Sequence, residues 1–135
     1  MDSETFSERV GQIGLAPVPK RHRHLVENVA MLVGDDVPDE TRRVLGLGAE
    51  ESLLGLYQGV PLTERGALYG TGELPDTITL YRLPILEEAG TDDPAAIERV
   101  IRETIWHEVA HHFGLEEHEV EERERSREDR AAEDL

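Results

Sequence analysis

The sequence contains no cysteine, which excludes disulfide bonds and thiolate metal ligands. Any bound metal must therefore be held by histidine and carboxylate side chains. Aromatic residues make up only 4% of the 135 residues, so aliphatic side chains must build most of the core. No run approaches the roughly 18 consecutive apolar residues of a membrane span, and the acidic N-terminus lacks the apolar segment of a signal peptide. These absences predict a soluble cytoplasmic protein that does not enter a membrane.

Basic residues are also scarce, since 14 lysines and arginines stand against 30 acids and give a net charge of −16. Such a surface repels phosphate backbones and anionic lipids, which argues against nucleic-acid and membrane partners. Residues 116–135 alone hold ten acids and four arginines and are predicted to form an acidic C-terminal helix. The chain length suits a single domain spanning residues 1–135.

Hydrophobic spacing predicts helices at both ends of the chain and strands between them, which defines an α+β domain. In order, the elements are helix Ser3–Ile13, a short helix Lys20–Val26, strands Val29–Val33, Leu53–Leu62 and Thr77–Leu86, and a long helix at 91–113. Asp92 or Asp93 can cap that last helix. Because Pro84 cannot donate to a sheet ladder, Thr77–Leu83 is predicted to be an edge strand.

Four of the six histidines fall in residues 107–118, HEVAHHFGLEEH. On a helix, His107 and His111 project from one face, one turn apart, where both can bind one zinc ion. Glu108 adjoins the first ligand and can reach a water on the metal, which suits a general base. His112 points about 100° away from His111 and is interpreted as a residue of the cleft rather than a ligand.

The third zinc ligand is expected after Gly114, a glycine that can turn the chain back toward the metal. In the pattern HExxHxxGxxZ, the position Z is Glu117, and zinc accepts carboxylate oxygen readily. His118, one residue further on, is the main alternative because imidazole is a good neutral ligand. A carboxylate of the tail, such as Glu121, is the remaining candidate.

The chain resembles the minimal zincin-like metallopeptidases, which are small bacterial one-domain proteins. Four segments carry the resemblance over roughly residues 25–118: NVAMLVGDDVP, LLGLYQGVPL, LPDTITLYRLPIL and TIWHEVAHHFGL. The resemblance implies a small mixed β-sheet packed on the active-site helix, with N- and C-terminal helices around it. The family motif, HExxHHFGxxD, implies zinc ligands at His107 and His111 and a catalytic base at Glu108. It puts Glu117 in the third-ligand place, where the family usually has aspartate.

The leading hypothesis is a zinc-dependent peptidase that hydrolyses a peptide or protein lying extended along strand Thr77–Leu83. The negative surface favours cationic or neutral peptides, and Tyr81, Tyr69 and His112 are candidate donors to the oxyanion. One alternative is an RNA-processing zinc hydrolase, against which the net charge of −16 weighs. Another is a metal-stabilised interaction module with little or no turnover.

Overall fold

A computed structural model describes residues 1–48, 51–59 and 74–115 of the chain. Its elements, in chain order, are helix α1 (Ser3–Ile13), a 3₁₀ helix (Lys20–Val26), strand β1 (Val29–Gly34), helix α2 (Asp39–Leu45), strands β2 (Gly55–Gln58) and β3 (Asp76–Tyr81), and helices α3 (Arg82–Ala89) and α4 (Pro94–His112). This mixture of helices and strands confirms the predicted α+β class. The predicted C-terminal helix at 116–135 lies outside the described residues.

The three described strands form one mixed sheet in the order β1-β3-β2. β3 pairs in parallel with β1, and this register aligns Met31 with Ile78. On its other side β3 pairs antiparallel with β2, where Tyr57 aligns with Ile78. The small mixed sheet expected from the sequence is therefore confirmed.

The prediction of an edge strand at Thr77–Leu83 is wrong in two respects, the place of the strand in the sheet and the residue at which the strand ends. β3 is the central strand of the described sheet, with a partner on each side. It ends at Tyr81, and the chain continues directly into α3, so the predicted strand residues up to Leu86 are helical. Pro84 does not mark a sheet edge, because it lies in the first turn of α3, where helix amides have no intrahelical acceptor. A proline there removes no hydrogen bond from the sheet.

The long helix α4 begins and ends where its sequence signals place it. The Asp93 side chain accepts a hydrogen bond of 3.2 Å from the Ala95 amide and caps the helix, and Pro94 takes the first helical position. The helix closes at Phe113, and Gly114 follows with a φ of 65°. A positive φ favours glycine, so Gly114 marks the point where the chain leaves the helix axis.

One face of α4 forms the centre of the hydrophobic core. Its stripe at four-residue spacing is fully buried and consists of Ile97, Ile101, Ile105 and Val109. The stripe packs in one cluster with side chains of β3 and α1, among them Ile78, Leu80 and Phe6. This packing holds the next face of α4, which carries the histidines, at the margin of the core.

Candidate active site

The last two turns of α4 carry the residues of the HExxH motif. His107 and Glu108 are half-buried, whereas His111 and His112 are exposed. Because His107 and His111 are four apart on one regular helix, their Cβ atoms lie about 5–6 Å apart on the same side. Glu108 lies on the neighbouring side of the helix, which faces β2.

Three α4 residues spaced by one turn form a column that faces β2: Thr104, Glu108 and His112. Gly55 lies against Thr104 so closely that an added Cβ atom would stand 2.8 Å from Thr104 Cγ2. The same atom would stand 3.1 Å from the Thr79 carbonyl oxygen and 3.7 Å from Glu108 Cγ. The strand can therefore approach the helix this closely because position 55 has no side chain.

Tyr57, two residues along β2, contacts the same column. Its backbone amide donates a hydrogen bond of 3.2 Å to Oε2 of Glu108. Its ring stacks on His112, with ring centroids 3.9 Å apart and planes inclined by 21°. Its hydroxyl donates a hydrogen bond of 2.8 Å to Oδ2 of Asp76. Tyr57 thus joins the strand, the end of α4 and the start of β3.

Burial raises the pKa of the Glu108 carboxyl above its ordinary value, because desolvation disfavours the charged form. The hydrogen bond from the Tyr57 amide and the charges of His111 and His107 lower this pKa, but by less than burial raises it. A carboxyl with a raised pKa is a stronger proton acceptor than an exposed one, which suits general-base chemistry.

A cleft of about 340 Å³ opens beside His107 and Glu108. The rest of its lining comprises an apolar group (Leu53, Leu54, Val100), an acidic pair (Glu88, Glu103), and Ser52, Gly55 and Thr104. No lysine or arginine lines the cleft in the part of the chain that the structure describes. The cleft thus combines an apolar wall with negative charge, directly beside the two motif residues.

The candidate oxyanion donors differ in their surroundings. Tyr81 is buried at the end of β3, and burial, followed by the charges of Asp36 and Glu108, raises the pKa of its hydroxyl. His112 stacks on Tyr57, and the described lining of the cleft does not include it. Tyr69 lies outside the described residues.

The chemistry of the donor set fits zinc. Two imidazoles one helical turn apart are common zinc ligands, and the cysteine-free chain offers no thiolate to compete with them. Within residues 1–48, 51–59 and 74–115, no three histidine or acidic side chains lie together as a complete metal site. The expected third ligands, Glu117, His118 and Glu121, all lie outside those ranges.

Two residues that shape this site, Gly55 and Tyr57, were not anticipated as site residues from the sequence. Both belong to LLGLYQG, a segment that predicts only a strand weakened by glycine. The available signal was Gly55 itself, since a glycine inside a strand often marks a close approach of another element. Nothing near Tyr57 in the sequence indicates that its amide faces Glu108.

An α+β domain in which a small mixed sheet packs on an HExxH helix has the architecture of a zincin. The sequence model of the zincin-like metallopeptidase family matches residues 26–127, so the chain belongs to that family. No curated protein sequence matches the chain. Among the described helices, none is long and apolar enough to cross a membrane.

Proposed function

We propose that this protein is a zinc-dependent peptidase in which Glu108 acts as the general base. The observation that carries the proposal is the placement of the Glu108 carboxylate. Glu108 is half-buried and lines a cleft of about 340 Å³, next to a pair of histidines. A backbone amide holds its carboxylate in place. Family membership supports metallopeptidase chemistry at this site.

His107 and His111 would bind the zinc ion through their ring nitrogens, and Glu117 would complete the set, with His118 as the alternative. When bound, zinc supplies a Lewis acid that polarises the scissile carbonyl and makes water more acidic. Glu108 accepts the proton of the attacking water through Oε1, the carboxylate oxygen that does not accept the Tyr57 hydrogen bond. It then delivers that proton to the amine that leaves.

The peptide substrate would pair with β2 rather than with Thr77–Leu83. Both edges of β3 are already paired with neighbouring strands. β2 has one strand neighbour in the described sheet, and its far side carries the Tyr57 amide that reaches Glu108. A peptide extended along Gly55–Gln58 would therefore pass beside the base.

The charge of the cleft favours substrates with basic side chains. Glu88 and Glu103 contribute carboxylates to its lining, while Leu53, Leu54 and Val100 offer an apolar wall. A lysine or arginine side chain combines an aliphatic stem with a cationic end and matches this combination. The net charge of −16 adds a long-range attraction for cationic peptides.

Metal analysis combined with a cleavage assay tests the proposed function. Wild-type protein is expected to bind one zinc ion per chain and to cleave members of an unstructured peptide library. Chelation should abolish cleavage, and added zinc should restore it. His107→Ala and His111→Ala are expected to lose zinc, whereas the matched variant His24→Ala, on the 3₁₀ helix, should retain it.

Two results would contradict the proposed function. One is wild-type protein with full zinc that cleaves no member of the library, which would favour the interaction module. The other is unchanged zinc content in both His107→Ala and His111→Ala, which would remove the metal site from α4.

A further inference from the structure

The side of β2 that carries Gly55 and Tyr57 fits the Thr104–Glu108–His112 column of α4 position by position. Residues two apart in a strand share a face, and residues four apart in a helix share a side. Gly55 lies over Thr104, and the Tyr57 ring lies over His112. Glu108 stands between these two contacts, where the Tyr57 amide reaches its Oε2 atom.

The hydrogen bond on Glu108 depends on the distance between the strand and the helix. The backbone amide has no rotamer to adjust, so a shift of β2 lengthens the bond unless the Glu108 side chain follows it. The bond length of 3.2 Å is already at the long end of the usual range for N–H···O bonds. A shift of the strand by a few tenths of an ångström that the Glu108 side chain does not follow would therefore weaken or break the bond.

Gly55 is the position that sets this distance. A Cβ atom there would come 2.8 Å from Thr104 Cγ2, closer than carbon atoms approach without displacement. Thr104 cannot easily turn away, because it is buried and its hydroxyl donates a hydrogen bond of 2.7 Å to the Val100 carbonyl. The strand would have to move instead, and Tyr57 would move with it.

We propose that Gly55 is a positioning residue, whose missing side chain lets β2 lie close enough to α4 for the Tyr57 amide to hold Glu108. The hydrogen bond occupies one carboxylate oxygen and leaves the other for the proton transfer. In this role Gly55 acts through the position of Glu108 and not through a contact with zinc. The role rests on the proposed function for its catalytic consequence, but the contact itself does not.

A double-mutant cycle with Gly55→Ala and Thr104→Ser tests this role. Thr104→Ser deletes the Cγ2 atom that an alanine at position 55 would meet and retains the hydroxyl bonded to Val100. Gly55→Ala alone should lower kcat by about 100-fold, as expected for a displaced catalytic group. In the Thr104→Ser background the same substitution should cause a clearly smaller loss. Gly11→Ala is the matched control and should not change kcat, because among the described residues its added methyl meets no atom within 4 Å beyond its own stretch of helix.

Hydrogen exchange at the Tyr57 amide gives a readout that needs no substrate. Wild type should protect this amide, and Glu108→Ala should remove the protection because it removes the acceptor. Gly55→Ala should also remove it, and the double variant should regain it at least in part. If wild type cleaves no peptide but the exchange follows this pattern, the proposed function fails and the positioning role stands.

Two results would overturn the positioning role. The first is a protected Tyr57 amide in Gly55→Ala. The second is a loss of protection and of kcat in Gly55→Ala that Thr104→Ser does not reduce at all. If Gly55→Ala alone folds poorly, the double variant is compared with Thr104→Ser alone: a protected Tyr57 amide supports the positioning role, and an unprotected one contradicts it.

Discussion

The backbone amide of Tyr57 lies 3.2 Å from Oε2 of Glu108 and donates a hydrogen bond to it across 51 positions of sequence. This bond ties the glutamate of the HExxH motif to the sheet rather than to its own helix. It also keeps the carboxylate at the cleft beside His107. The chemistry proposed for Glu108 therefore depends on how β2 and α4 pack, and not on the motif alone.

The third zinc ligand is predicted to be Glu117, because it occupies the sixth position after His111, beyond the turn at Gly114. Glu117→Ala should reduce the zinc content measured by elemental analysis, whereas His118→Ala should bind zinc as wild type does. Loss of zinc in His118→Ala alone would assign the ligand to His118. Glu121→Ala serves as the comparison for a tail carboxylate that is not expected to bind.

Charge reversal in the cleft should change the substrate preference. Glu103→Lys replaces an acidic lining residue with a cation that repels a basic side chain. We expect kcat/KM for lysine- and arginine-containing peptides to fall about 10-fold, with a smaller change for neutral peptides. Glu8→Lys, at an exposed acid of α1, is the control for the change in net charge. Equal effects of both variants would show that the cleft does not select charge.

The Ile105 side chain is predicted to be one of the strongest contributors to stability in α4. It is fully buried between the helix and the sheet, so Ile105→Ala should lower the free energy of unfolding by about 2–5 kcal/mol. Urea unfolding followed by circular dichroism measures the change. Val44→Ala, at a side chain that is 75% exposed on α2, should change stability by less than about 0.5 kcal/mol. Similar losses in the two variants would contradict the described core.

The Asp2 cap should make the stability of α1 depend on pH. The hydrogen bond from the Thr5 amide is the main cause that lowers the pKa of the Asp2 carboxyl below 3.8. A lowered pKa in the folded state stabilises the protein above pH 3.8, and the stabilisation is lost as pH falls through the folded pKa. Asp2→Ala should therefore melt below wild type at pH 7, by a margin that shrinks at pH 3. A margin that is equal at both pH values would contradict this role of the carboxylate.

Helices α1 and α4 could be predicted from the sequence because their signals are local, whereas the start of α3 was predicted to be part of a strand. The bounds of α1 follow from the spacing of Phe6, Val10 and Ile13, and those of α4 follow from its cap and from Gly114. The order of the strands could not be predicted in this way, because β3 pairs with strands on both sides that are distant in sequence.

The candidate site, like the fold, could be predicted from the sequence only where its signals are local. The positions of His107, Glu108 and His111 on one helix follow from the motif and from helical periodicity. The contacts of Glu108 with β2 do not, because they depend on the distance between two elements that only the packed structure defines. Gly55 and Tyr57 are therefore found from the structure, although both stand in a segment that the sequence identifies as a strand.

The central claim, that Glu108 is the general base of a zinc peptidase, is tested most directly by Glu108→Gln. The amide side chain keeps the length of the glutamate and an oxygen for the Tyr57 amide, but it cannot accept the proton. We predict one zinc ion per chain, as in wild type, and a kcat for peptide cleavage that is at least about 100-fold lower. Retention of the wild-type kcat by the zinc-loaded variant would contradict the claim.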